Sequence, residues 1–141
     1  MIRRVFFDTN VLLDVLTDRE PFVEGAAALW ALAETRHIDG AISAVSVPTI
    51  YYLIRRAAGH RKAVTAIRGM RAVFDIVPLD STLIDQAIAC DFPDFEDAVQ
   101  SCAALRVDAQ CIVTRDPKGF RKSEVRICTP EELLALIDVA S

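Results

Sequence analysis

Arg3-Arg4-Val5-Phe6-Phe7-Asp8-Thr9-Asn10-Val11-Leu12-Leu13-Asp14-Val15-Leu16 changes its periodicity in the middle. Residues 3–7 read as a short strand. Val11, Leu12, Val15 and Leu16 then recur at helical spacing. A strand-to-helix turn therefore falls at Asp8-Thr9-Asn10, and it carries an acid. Working outward, residues 20–35 are Ala-rich and helical, with Pro21 placed in the first turn and Gly40 as the stop beyond it. Strand patterning follows at residues 41–45, 74–77, 110–114 and 125–128. Helical patterning covers residues 47–58, 61–73, 81–89 with Ser81 as its cap, and from Pro93-Asp94 to Arg106. Thr129-Pro130-Glu131-Glu132 signs the start of a last helix.

Strands alternating with helices predict an α/β fold, a mainly parallel sheet covered by helices on both faces in three layers. No internal repeat or Gly/Ser-rich linker divides the chain, so residues 1–141 are expected to form one domain. The composition agrees: 52% hydrophobic and 26% charged residues are enough for an ordinary core and too apolar for a disordered chain. Trp30, on the Ala-rich helix, is expected to pack on a neighbouring helix or a second subunit.

Cys90, Cys102, Cys111 and Cys128 contain no C-x-x-C pair, and only His37 and His60 are present to complete a zinc site, so structural zinc is disfavoured. An acid at position 8 interrupts any leader-like apolar run, and no stretch approaches the ~18 to 20 apolar residues of a membrane span. The expectation is a cytoplasmic protein with reduced, mostly buried thiols and no membrane partner.

In an open parallel sheet, ligands bind beyond the carboxyl ends of the strands. Asp8, Asp97 and Asp116 stand at such ends or at a helix start facing one. Each also has a purely structural reading. Asp8 could cap the helix after it, Asp94-x-x-Asp97 resembles a capping box, and Asp116-Pro117-Lys118-Gly119 suits a type I turn. Gathered at one edge, the carboxylates would repel one another unless a cation lay among them, and oxygen donors without Cys or His select Mg²⁺ or Mn²⁺. A hydrated divalent ion with open positions is the apparatus of phosphodiester hydrolysis.

The ordered set Phe7-Asp8-Thr9-Asn10-Val11-Leu12-Leu13-Asp14, Arg19-Glu20-Pro21-Phe22, Asp94-Phe95-Glu96-Asp97-Ala98 and Ile112-Val113-Thr114-Arg115-Asp116, with Phe120 beyond, resembles PIN-domain proteins from Arg4 to about Ile127. Within that family it is similar to the branch of VapC-type toxins. The resemblance implies an Mg²⁺- or Mn²⁺-dependent ribonuclease, a homodimer, and an antitoxin whose C-terminal segment covers the active edge. It implies Asp8, Asp97 and Asp116 as metal ligands, Asp94 as a further acid of the catalytic group, Asn10 and Thr114 as residues that orient the carboxylates, and Arg115 as a contact to substrate phosphate. One departure stands out: where the family usually has a glutamate early in the helix after the second strand, this chain has Thr49, and no acid occurs between Asp39 and Asp75. Asp94 is the candidate to compensate.

Two other classes compete. One is a PIN fold with weakened catalysis that binds RNA or a partner, which Thr49 favours. The other is a haloacid-dehalogenase-like phosphatase, which needs an acid two residues after its nucleophile where this chain has Asn10. Net charge of -4 alone argues against nucleic acid. It is an average of two unlike regions: residues 40–74 hold Arg55, Arg56, Arg61, Lys62, Arg68 and Arg71 and no acid, against 20 acids and 10 Lys and Arg elsewhere. That basic helical stretch, with Tyr51 and Tyr52, is a candidate surface for RNA near the metal edge.

Overall fold

The computed structural model describes residues 1–140, without the side chains of Val139 and Ala140. Its elements run β1 (Arg4–Phe7), α1 (Thr9–Leu16), α2 (Val23–Glu34), β2 (Asp39–Ser43), α3 (Ser46–Ala58), α4 (His60–Val73), β3 (Asp75–Val77), α5 (Ser81–Cys90), α6 (Phe95–Arg106), β4 (Cys111–Val113), a 3₁₀ turn (Pro117–Phe120), β5 (Ile127–Cys128) and α7 (Pro130–Ala140). All strand pairs are parallel, in the order β3-β2-β1-β4-β5. The three-layer α/β expectation holds.

The two-residue period of β1 builds both layers. Val5 and Phe7 face one core with Leu12, Leu29, Ile50 and Met70 from α1, α2, α3 and α4, whereas Phe6 faces the other with Leu83 of α5 and Val99 and Ala103 of α6. Both faces of the central strands are therefore dry, which is why the strands are near-continuous apolar runs. Trp30 packs edge-on against Phe74, ring centroids 4.9 Å apart.

Several local expectations are corrected. Pro21 lies before α2, after a cis peptide bond, and not in its first turn; Phe22 and Val23 donate to the Arg19 carbonyl, so a turn occupies those residues. Gly40 does not stop the helix but lies within β2, paired with Val5, and the Phe74 ring fills the space where a Cβ would sit, 2.5 Å from its Cδ1. That pairing starts β2 at Asp39, two residues early, and Val45 passes into the α3 start. Asp80, not Ser81, caps α5 by accepting from the Leu83 amide at 2.9 Å. Thr129 caps α7 as expected, in a reciprocal pair with Glu132.

The strand order reverses at β1. Its chain leaves toward β2 on one side, and β4 closes on the other, so the carboxyl ends of β1 and β4 flank the crevice where this class of sheet takes its ligands. Asp8 follows β1 and Thr114 follows β4 directly.

Candidate metal centre

A pocket opens at that crevice, lined by Asp8, Asn10, Asp94, Glu96, Asp97, Asp116 and Phe120. Asp8 is buried and does not cap α1: its backbone is extended and its carboxylate turns inward. Thr114 Oγ1 donates to Asp8 Oδ2 at 2.8 Å and Gln100 Nε2 to Oδ1 at 3.1 Å. Thr114 Oγ1 also accepts from the Asp116 amide at 3.0 Å, so one hydroxyl fixes Asp8 and the loop that carries Asp116. Burial raises the Asp8 carboxyl above its ordinary range, while the Thr114 and Gln100 hydrogen bonds oppose the shift.

The first turn of α6 supplies the remaining acids. Asp94 is its cap, accepting from the Asp97 amide at 3.0 Å, so the structural reading holds for this residue while it still edges the pocket. Asp97 is half-buried and its carboxyl is pushed up to about 7, first by desolvation and then by the charges of Asp94, Asp8, Glu96 and Asp116. Glu96 accepts from Thr9 Oγ1 at 3.2 Å and is raised by burial and by Asp8 and Asp94. The pattern is that of acids held together against their repulsion.

Gly119 shapes the floor. A Cβ there would lie 2.8 Å from Asp97 Oδ2 and 3.5 Å from Asp116 Oδ2, so the two carboxylates share a space that only glycine leaves open. All donors around it are hard oxygens, as Mg²⁺ and Mn²⁺ prefer. Among the described residues no three side chains already close round one metal ion.

Thr49 stays outside the pocket, donating to the Val45 carbonyl at 3.0 Å. What α3 brings to the site is Ser46, whose buried Oγ meets Thr9 Oγ1 at 2.6 Å. Besides Asp8, Asp94, Asp97 and Asp116, the pocket is lined by a fifth carboxylate, Glu96 of α6. The sequence reading missed Glu96, Gln100 and Gly119. Three acids within Asp94-Phe95-Glu96-Asp97 were a visible signal for Glu96; nothing local marked Gln100. Asn10 lines the pocket but makes no side-chain hydrogen bond among the described residues. Arg115 is turned away from it, with Nε on Asp14 Oδ2 at 2.8 Å and its guanidinium 4.3 Å over the Phe22 ring.

A family model described as PIN domain matches residues 4–118. This chain belongs to the PIN-domain family. Solved PIN-fold structures similar to it include a toxin–antitoxin complex from Klebsiella pneumoniae, 21% identical, TM-score 0.68, covering 89% of this chain and 97% of that one. VapC20 of Mycobacterium tuberculosis, described as a toxin that cleaves the sarcin-ricin loop, is 20% identical with a TM-score of 0.67, over 82% of this chain and 92% of its own. DNA-bound VapBC from Salmonella typhimurium is 15% identical with a TM-score of 0.70, over 92% and 99%. At these identities the likeness is one of fold. No curated protein matches the sequence. Among the described residues of this PIN domain, no helix is long and apolar enough to cross a membrane.

Proposed function

We propose that this PIN domain is an Mg²⁺- or Mn²⁺-dependent endoribonuclease, the toxin of a toxin–antitoxin pair. The observation that carries the reading is the crowding of Asp8, Glu96, Asp97 and Asp116 round one pocket, with the Asp97 carboxyl raised to about 7. When bound, the ion supplies Lewis-acid activation of the phosphodiester and of water. Asp8, Asp97 and Asp116 hold it, Glu96 replaces the carboxylate that Thr49 does not offer, and Asp94 fixes the start of α6. Gln100 and Thr114 orient Asp8 by donating to both of its oxygens, and these bonds oppose the upward shift that burial imposes. A charge-rich, oxygen-only site suits a hydrated divalent ion and a phosphodiester, with water as the attacking group.

The toxin role, a cytoplasmic location, a homodimer and an antitoxin partner are inferred from the family and from neighbours described as a toxin–antitoxin complex and as a toxin. A second reading, a PIN fold with weakened catalysis that binds RNA or a partner, draws on Thr49 and on the open arrangement of the acids. Cleavage of a mixed RNA pool with Mn²⁺, Mg²⁺ or EDTA, beside Asp8→Asn and Asp97→Asn, separates the two. Metal-dependent cleavage lost in both variants is expected. RNA binding without cleavage would favour the second reading, and cleavage that survives in EDTA would remove the proposed site.

A further inference from the structure

The basic stretch of residues 40–74 is not one surface. Arg71 lines a depression with Arg4 and Asp75, at the amino ends of β1 and β3, and so lies at the sheet edge opposite the acidic pocket. Arg55 and Arg56 belong to the other end of the α3–α4 hairpin. α3 starts at the pocket, through Ser46 and Thr9, and Arg55 stands nine residues further on, about 14 Å along the helix. α4 rises about 21 Å from the hairpin tip to the amino edge, so Arg55 and Arg56 are well separated from Arg71.

At this tip Tyr52, Arg55 and Arg56 line one surface depression. Arg55 and Arg56 are three and four residues beyond Tyr52, so the ring and both guanidinium groups share a helical face. Tyr52 is 60% exposed, an unusual position for a large ring, and Tyr51 holds it from behind in an edge contact with centroids 5.3 Å apart. Tyr51 is itself anchored by its hydroxyl on His60 Nδ1 at 2.7 Å. Among the described residues neither arginine forms an ion pair, and the same holds for Arg61, Lys62, Arg68 and Arg71, because residues 40–74 contain no acid. A presented aromatic face beside two unpaired cations, with no acid on the hairpin, has the chemistry of a single-stranded nucleic-acid contact, in which a base stacks and the phosphates on either side meet the arginines.

We infer that Tyr52, Arg55 and Arg56 form a second subsite for single-stranded RNA, which holds the substrate strand away from the scissile phosphate. The inference rests on the ribonuclease reading for the identity of the strand. Its role is affinity and position; none of the three residues touches the reacting atoms.

The test is binding of a short fluorescein-labelled single-stranded RNA to the full chain in EDTA, beside Mn²⁺-dependent hydrolysis of bis(p-nitrophenyl) phosphate, a diester too small to span both sites. Tyr52→Ala is expected to weaken RNA binding at least about fivefold while Tyr52→Phe preserves it. The Arg55→Ala/Arg56→Ala pair is expected to lower the slope of log affinity against log salt by about 1.4. Hydrolysis of the small diester is expected to stay at the wild-type rate in all of them. RNA affinity and salt slope unchanged in both variants would overturn the inference. So would poly(glutamate) binding that depends on the arginines while RNA binding does not, since the occupant would then be an acidic polypeptide. Wild-type protein that hydrolyses neither the diester nor RNA, yet binds RNA through Tyr52, would remove the ribonuclease reading and leave this subsite standing.

Discussion

Gln100 clamps the end of β1 from both sides: its Nε2 donates to Asp8 Oδ1 at 3.1 Å and its Oε1 accepts from the Thr9 amide at 3.1 Å. The side chain is fully buried, so neither partner has water to fall back on. Gln100→Leu leaves a carboxylate oxygen and an amide unpaired and is expected to cost about 3 kcal/mol in urea unfolding. Gln100→Glu adds a charge beside Asp8 and is expected to be worse. A stability loss under about 1 kcal/mol for both would show that the clamp is dispensable.

Glu96, and not residue 49, completes the acidic pocket. Glu96→Gln is expected to weaken Mn²⁺ binding in calorimetry, whereas Thr49→Ala leaves it at the wild-type value. Asp94→Asn keeps a competent cap, and Asp94→Ala costs about 1 kcal/mol of stability. If Thr49→Ala were the variant that weakened the metal, the assignment to Glu96 would be wrong.

The Asp97 carboxyl, raised from 3.8 to about 7, gives a pH dependence with a definite sign. Between those values the folded state holds the proton more tightly than the unfolded chain, so metal-free stability falls as pH rises through the window. Asp97→Asn is expected to flatten that fall and to raise the melting temperature of the metal-free protein above pH 7 by a few degrees. Divalent ions compete with the same proton, so wild-type Mn²⁺ affinity is expected to drop by up to about tenfold per pH unit below 7. Metal affinity that does not change between about pH 5.5 and 7.5 would count against it.

Asp14 and Arg115 predict an asymmetry. The Asp14 side chain is 2% exposed and its Oδ1 has no hydrogen bond, only a 3.8 Å approach from Arg19, while Arg115 is 30% exposed. Arg115→Ala strands the buried carboxylate and is expected to cost about 3 kcal/mol. Asp14→Asn leaves an arginine that can turn to water, at about 1 kcal/mol. Equal losses in chemical denaturation would contradict the difference in burial.

Gly119→Ala tests the floor of the pocket. The nearest atom to the added methyl is the free end of the Asp97 side chain, which can rotate away, so the protein is expected to fold. Its Mn²⁺ affinity is expected to fall, because the rotation separates Asp97 from Asp116. Wild-type affinity with an unchanged melting curve would show that the shared space is not needed.

What the sequence made legible was whatever depends on neighbours in the chain. The switch from a two-residue to a 3.6-residue period at Asp8 located β1, α1 and the acid between them, and Asp97 and Asp116 followed from short motifs. Asp94 shows the limit of that reading, because a capping carboxylate and a metal-binding one look alike in sequence. Gln100 reaches Asp8 across 92 positions, and Glu96 enters the pocket only because α6 packs across β2 and β4 with its first turn beside the end of β1, so packing decides both. Gly40 looked like a helix stop because the ring that fills its missing Cβ, Phe74, lies on another element.

Joint binding of one divalent cation by the carboxylates of this crevice is open to direct measurement. Electron paramagnetic resonance titration of Mn²⁺ against wild type, Asp8→Asn, Glu96→Gln, Asp97→Asn and Asp116→Asn reads it directly, with melting curves as the check on folding. The expected result is a wild-type site from which Mg²⁺ displaces Mn²⁺ and which each folded variant weakens, Asp97→Asn most. Mn²⁺ bound equally by the wild type and by Asp97→Asn would contradict it.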